Sequence, residues 1–366
     1  MTKSTLIIAE AGVNHNGSLA LAFELVDKAV DAGVDIVKFQ TFVAEHLVTE
    51  SAEQAAYQAA NIGKKKSQLD MLKQLELTFD EHKQLQAYCD RKGIQYLSTA
   101  FDLQSLTLLA DEMNIDLLKI PSGELTNAPY LLAHAQKRKP LIVSTGMADL
   151  NEVKQALSVL AFGLTHEISE PATHLSLAEF SLAFDSSSGQ EALKKHVTLL
   201  HCTTEYPAPL SSINLDAMSL MAETFALPVG YSDHSEGLLV SQLAVAKGAC
   251  VIEKHFTLSR EMEGPDHKAS IEPDELNDMV RLIRQVEVIN GSRQKEPSIC
   301  ELKNIPVARK SLVAEKFICA GELFTAENIA IKRPGTGVSP MHYWQILGKN
   351  ASKDYAPGEL IDIKEN

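Results

Sequence analysis

Eight times within roughly the first 285 residues, a short apolar run ending in a polar group is followed by an amphipathic, helix-like stretch. Few architectures accept that rhythm. Apolar strands alternating with helices demand a parallel sheet whose faces are both covered, and eight such units in this length match a (β/α)8 barrel. The runs fall at residues 5–10, 35–40, 94–99, 117–124, 140–146 and 197–202, with 227–229 leading into 230–234 and 249–252 leading into 253–256. Ser18 reads as the cap of a first helix over 19–32 that stops at Gly33. Further helices are expected over 79–92, 103–112, 128–137, 150–162, 236–247 and 273–289. A doubly wound sheet is the alternative. Its first turn is normally glycine-rich, and Gly12-Val-Asn-His-Asn-Gly17 is not the G-x-G-x-x-G such a sheet uses, so the barrel is preferred.

Two stretches interrupt the rhythm. A polar excursion after the second strand carries helical segments near 52–60 and 66–75, and an insertion over 164–189 is rich in Ser, Glu, Ala and Thr. Its Ser186-Ser-Ser-Gly189 segment reads as an exposed loop. The barrel is expected over 1–288, a linker over 289–305, and a small, mostly β domain over 306–366 with β-like runs at 311–314, 329–332 and 360–364. A domain that small is marginal alone, so it is expected to pack on the barrel of its own or a partner chain.

The net charge of −14 disfavours nucleic acid and anionic membrane as partners. No apolar run approaches a membrane span, and the start of the chain does not resemble a secretion signal. Cys89, Cys202, Cys250, Cys300 and Cys319 form no C-x-x-C pair. Free thiols in a reducing cytoplasm are the expectation.

The chemistry collects at the strand ends, where parallel α/β proteins place it. Every strand but the fifth ends in an ionisable or strongly hydrogen-bonding group: Glu10, Lys38 with Gln40, Thr99, Lys119 with Ser122 and Glu124, Tyr206 just past His201, Ser232 with His234, and His255. Lys38 and Lys119 are flanked by apolar residues and so should lie within strands. A buried lysine needs an anionic partner, either a structural salt bridge or a bound anion. With Thr99, Ser122 and Ser232 near, the two lysines suggest a phosphate or carboxylate cradle. His234 and His255, on neighbouring strands with Asp233, Glu253 and Glu10 available, suggest one shared divalent ion. Imidazole and carboxylate with water suit Mn²⁺ or a similar ion better than structural zinc. His82, His134 and His166 fall on helices or the insertion and receive no role.

The strings Ile8-Ala-Glu-Ala-Gly-Val-Asn-His-Asn-Gly17, Val37-Lys-Phe-Gln-Thr41, Lys119-Ile-Pro-Ser-Gly-Glu124, Ser144-Thr-Gly-Met147, His201-Cys-Thr-Thr-Glu-Tyr-Pro207, Gly230-Tyr-Ser-Asp-His234, Glu253-Lys-His-Phe256, Gly264-Pro-Asp266 and Lys332-Arg-Pro-Gly335 resemble the sialic acid synthase family. The likeness runs in order along almost the whole chain, apart from the insertion. It implies a (β/α)8 barrel followed by an antifreeze-like (SAF) domain, working as a domain-swapped homodimer. It also implies condensation of phosphoenolpyruvate with an open-chain N-acetylated hexosamine and water, using Mn²⁺ or Mg²⁺, to give a nonulosonic acid and phosphate. By the same resemblance His234 and His255 hold the metal, and Lys38, Thr99, Lys119, Ser122, Ser232 and His234 line the phosphoenolpyruvate site. Glu10, Gln40, Glu124, Tyr206 and Asp266 would face the sugar, with Glu10 or Glu124 managing the proton, while Arg333 reaches the N-acetyl group in the partner subunit's site. Thr204 stands where some members carry Asn, which puts one phosphoenolpyruvate contact in question.

Two other readings are kept open. A 3-deoxy-octulosonate or heptulosonate type of synthase would act on a sugar phosphate, and needs a second basic cluster that the strand ends lack. A non-catalytic carbohydrate-binding protein would have little use for lysines inside strands. Within the resemblance the sugar is either N-acetylmannosamine, 2,4-diacetamido-2,4,6-trideoxymannose (the legionaminic acid precursor) or its altrose relative. Glu205-Tyr-Pro-Ala-Pro209 and the insertion lean toward the legionaminate type.

Overall fold

The structure is a computed structural model, and it describes residues 4–49, 67–167, 175–292 and 294–362. The chain divides into two compact units, Met1–Gly291 and Ser292–Asn366.

In the first unit β1 (Leu6–Gly12), β2 (Ile36–Thr41), β3 (Gln95–Ala100), β4 (Leu118–Ile120), β5 (Leu141–Ser144), β6 (Val197–Cys202), β7 (Val229–Asp233) and β8 (Val251–His255) close in sequence order into a parallel barrel. Each strand is apolar because it is covered twice, by its neighbours' inward side chains and by the helix that follows it. Ser18 caps the first helix, Leu19–Ala32, by accepting from the Leu21 N–H, and Gly33 ends it at φ 72°, where a side chain would be strained. Closure makes the register decisive. Glu10 pairs with Lys38 and with His255, Gln40 with Thr99, Thr99 with Lys119, Cys202 with Ser232, and Ser232 with Glu253. A period of two puts all of these on the inner face at the carboxyl end.

Several local expectations change. Strand four is only three residues long, and Ser122–Glu124 forms a 3-10 turn. The expected loop at Ser186–Gly189 is instead the junction of two helices, Leu177–Asp185 and Ser187–His196. Ser186 is an N-cap there, accepting from Gly189 N, so a serine run that looked like a loop serves to start a helix. The helix expected near 52–60 lies outside the described residues.

His82 and His134 sit fully buried on helices packed against the barrel. His134 Nδ1 donates to the Tyr130 carbonyl and His82 Nδ1 meets the Tyr96 hydroxyl, while the Nε2 atoms have no partner. Burial pushes both rings down from 6.5, His82 to about 3 and His134 to about 4. The unfolded chain therefore takes up protons near pH 6.5 that the folded chain refuses until pH 3–4. Stability is present above that window and drains as pH falls through it, by up to about 1.4 kcal/mol per pH unit for each ring. Thermal unfolding between pH 7 and 4 should show this decline, shallower in His82→Gln; an unchanged slope in that variant would contradict it.

In the second unit β9 (Ser311–Ala314) and β10 (Ile329–Lys332) form an antiparallel pair, and Leu360 bridges to Val313. Leu312, Ile318, Phe324, Ile346 and Tyr355 make a core of its own. Among the described residues no helix is long and apolar enough to cross a membrane.

Candidate active site

The carboxyl ends of the strands surround a cavity of about 280 Å³. Its floor is ionic. Lys38 Nζ lies 3.1 Å from a Glu10 oxygen and 3.1 Å from a Glu253 oxygen, and it donates to Thr99 Oγ1 at 3.3 Å. Lys119 Nζ donates to Ser144 Oγ at 2.7 Å and stands 3.7 Å from Glu253. Burial alone would pull the Lys38 ammonium down, but Glu10 and Glu253 outweigh it and hold it above its ordinary value. Lys119 is pulled down by burial, with Glu253 opposing. Burial raises the Glu10 carboxyl, and the Glu253 charge adds to that against Lys38. Glu253 itself is held well below the carboxylate range, because Lys119 and Lys38 outweigh its burial. One carboxyl is thus driven toward its neutral form beside another kept firmly ionised.

Across the cavity stand the two histidines, ring centres 5.6 Å apart, with Tyr206 4.2 Å from His234 and 5.6 Å from His255. His234 Nδ1 lies 2.7 Å from the Thr203 carbonyl, which can only accept, so Nδ1 carries the proton and Nε2 keeps its lone pair. Burial holds both rings below their usual value, His234 at about 4. Both are neutral ligands in waiting, and His255 Nδ1 is buried without any hydrogen-bond partner. Among the described residues no group of three His, Cys, Asp or Glu could hold a metal by itself; an ion held by these two imidazoles would take its other positions from water or substrate oxygens. Asp233, expected as a possible ligand, is a correction: it points away from the cavity. Its carboxylate is 3.0 Å from Lys254 and accepts from Ser235 and Ser241, because its parity on β7 is opposite to that of Ser232 and His234.

Gln40, Thr99, Ser122, Thr204, Tyr206, Ser232 and Asp266 also line the cavity. Gln40 donates to Glu10 at 3.3 Å, and burial raises Asp266 to about 6. Ser122 Oγ accepts from Gly146 N at 3.0 Å and contacts Cys202 Sγ at 3.2 Å. A Cβ on Gly146 would crowd Thr204 Oγ1 and stand 2.8 Å from Ser122 Oγ and 3.0 Å from Cys202 Sγ, so a larger residue here would push on the cavity's side chains. One expected residue is not brought in: Glu124 is not among the lining residues and accepts from Asn127 on its own turn. Arg333, expected in the partner's site, belongs to the second unit, where it is exposed and its Nε donates to the Ala308 carbonyl. Two residues of the floor, Ser144 and Glu253, carry more of it than strand-end reading assigned. The fifth strand does end in the site.

The upper wall is apolar. Val13, Phe42, Leu47, Met71, Leu72 and Phe101 belong to a small cluster separate from the barrel core, and Phe42, Leu47, Met71 and Leu72 come from the excursion after β2. A closed parallel barrel with two buried lysines on a carboxylate-bridged floor and two neutral imidazoles at its carboxyl rim defines a barrel enzyme for small anionic substrates. The chain matches the NeuB family over residues 25–295 and the SAF domain over residues 309–364, and it belongs to the NeuB family. It is 47% identical to the N,N'-diacetyllegionaminic acid synthase of Campylobacter jejuni, over 98% of this chain and 99% of that protein. It is 43% identical to the enzyme of that name from Legionella pneumophila, over 97% of this chain and 92% of the relative. Among solved structures, an N-acetylneuraminic acid synthetase from Leptospira borgpetersenii superposes with a TM-score of 0.65 at 31% identity, over 82% of this chain and 90% of that one.

Proposed function

We propose that the protein condenses phosphoenolpyruvate with open-chain 2,4-diacetamido-2,4,6-trideoxymannose and water, releasing phosphate and giving N,N'-diacetyllegionaminic acid. The observation that carries this is the pair of buried ammonium groups, Lys38 and Lys119, converging below two neutral imidazoles. The lysines, with Thr99, Ser122 and Ser232, hold the phosphate and carboxylate of phosphoenolpyruvate and aim its C3 at the aldehyde carbon, and such positioning removes much of a bimolecular barrier. His234 and His255 would hold a divalent ion, Mn²⁺ or Mg²⁺, which when bound supplies Lewis-acid polarisation of an oxygen or a positioned water. Attack by C3 forms the new carbon–carbon bond and turns the aldehyde oxygen into an alkoxide, which Glu10 protonates. Water adds at the C2 cation and gives up a proton that restores Glu10, and the hemiketal passes its hydroxyl proton to the departing phosphate to leave the keto group. Glu10 is preferred to Glu124 as the acid because it lines the cavity. Gln40, Tyr206 and Asp266 are placed to meet the sugar, with Thr204 beside the phosphoenolpyruvate end. Fixed charges aimed at the developing alkoxide and phosphate supply the rest.

The choice of sugar rests on the apolar wall and on the names of the relatives. A C6 methyl and a second acetamido group suit Phe42, Leu47, Met71 and Leu72 better than the hydroxymethyl and hydroxyl of N-acetylmannosamine. The described lining holds no arginine and no lysine beyond Lys38 and Lys119, so a sugar phosphate would find no second cradle. Arg333 is assigned to the sugar's N-acetyl group in the partner's site of a domain-swapped homodimer, and a cytoplasmic location suits a chain whose cysteines form no disulfide.

Phosphate release with the three candidate sugars tests this. The trideoxymannose should be used about 10- to 100-fold better than N-acetylmannosamine, the discrimination an apolar pocket achieves for a small group. A chelator should stop turnover and leave the far-ultraviolet circular dichroism unchanged, with Mn²⁺ restoring the rate. No release with any of the sugars at high enzyme and Mn²⁺ would sink the reading.

A further inference from the structure

The two ammonium groups of the floor share one carboxylate that has no part in the reaction as written. Glu253 lies inward on β8, where the register sets Ser232 on one side and Ile8 on the other. One of its oxygens is 3.1 Å from Lys38 Nζ, and the other is 3.7 Å from Lys119 Nζ and accepts from Ser232 Oγ at 2.9 Å. Side chains from β2, β4 and β7 therefore converge on a single group that is 4% exposed.

The two lysines depend on it unequally. Lys38 has a second carboxylate, Glu10, at 3.1 Å. Lys119 bonds otherwise to neutral oxygens, Ser144 Oγ at 2.7 Å and the Ile120 carbonyl at 3.4 Å. Among the described residues, Glu253 is its one anionic partner within 4.0 Å. Two like charges do not rest side by side in a dry cavity without a charge between them. Ser232 fixes that charge in place. With it there, one oxygen meets Lys38 and the other faces Lys119, so the two ammonium groups flank the same carboxylate, placed to meet one incoming anion together.

We propose that Glu253 is the positioning residue of the anion cradle: it holds Lys38 with one oxygen and draws Lys119 with the other, so that both meet the same anionic group of the substrate. This rests on the reading of that anion as phosphoenolpyruvate. Glu253 acts through the lysines; at the sugar end its charge bears on Glu10, hence on kcat, and among the described residues no sugar-binding group contacts it.

Glu253→Gln keeps the shape and the bond to Ser232 and removes the charge. The KM for phosphoenolpyruvate should rise about 30-fold or more, as breaking a buried charge pair does, with the KM for the sugar within about twofold. In a Lys119→Met background the same substitution should add no more than about threefold, because the lysine that has no other carboxylate is gone and Lys38 keeps Glu10. An unchanged phosphoenolpyruvate KM, equal rises in both KM values, or full additivity in that background would overturn the proposal. If Glu253→Gln does not fold, Glu253→Asp decides: its shorter reach should raise the phosphoenolpyruvate KM about tenfold and spare the sugar, and no rise would overturn the proposal. Turnover by the unaltered protein judges the substrate reading separately. Should it not use phosphoenolpyruvate, inorganic phosphate binding by calorimetry makes the comparison, with weaker binding expected in Glu253→Gln and equal affinity overturning the proposal.

Discussion

Replacing Lys38 with methionine is expected to lower kcat/KM for phosphoenolpyruvate by about 10⁴-fold, equivalent to roughly 5.5 kcal/mol of transition-state stabilisation. The size follows from what the ammonium separates. It is 3% exposed and lies 3.1 Å from both Glu10 and Glu253, so its loss removes a charge-assisted contact to the anion and leaves two carboxyls facing the same space. The floor then repels what it was built to hold. Losing one partner of a buried ion pair also destabilises a fold by about 3–5 kcal/mol; uptake of a proton by Glu10, already biased toward its neutral form, would soften that cost. Arginine should not rescue, because a planar guanidinium does not fit where an ammonium reaches Glu10, Glu253 and Thr99 Oγ1 at once. Steady-state kinetics beside thermal unfolding checks both halves, and a variant retaining a tenth of the unaltered kcat/KM would refute the assignment.

The second large effect is expected at Glu10. Glutamine there should reduce kcat by about 10² to 10⁴, the contribution of a placed general acid, with little loss of stability. Burial raises this carboxyl above its ordinary value, and the Glu253 charge adds to the shift although Lys38 opposes it. An acid works in its protonated form, so activity should be present below the raised value and fall as pH climbs through it. Glu10→Gln should erase that alkaline limb and leave a low, flat rate. A limb that survives would belong to another group. A limb on the acid side that vanishes in the variant would make Glu10 a base.

Much of this site could be read along the chain. Lys38 and Lys119 declared themselves by sitting between apolar neighbours, and His234 and His255 by ending adjacent strands. Asp233 was misplaced by the same kind of reading, although alternation held the answer: a residue between Ser232 and His234 must face the other way. Glu253 shares its parity with His255, which gave grounds to place it inward, but nothing local says that it meets both lysines. Ser144 was passed over because a serine at a strand end looks like any other. Glu124 stands in a well-matched string, yet the 3-10 turn after β4 carries it out of the cavity lining.

The sequence alone determined the barrel, because apolar strands alternating eight times with amphipathic helices have few other ways to cover both faces of a sheet. It also determined which residue types stand at the carboxyl rim, since strand ends are local features. Only the tertiary structure decided which of them meet. Closure sets β8 beside β1, and the register across each pair brings Glu253 under Lys38 and Lys119 and leaves Asp233 with Lys254 outside. Glu253 and Lys38 lie more than 200 positions apart in the chain, and a periodicity read along one strand does not carry the phase of another.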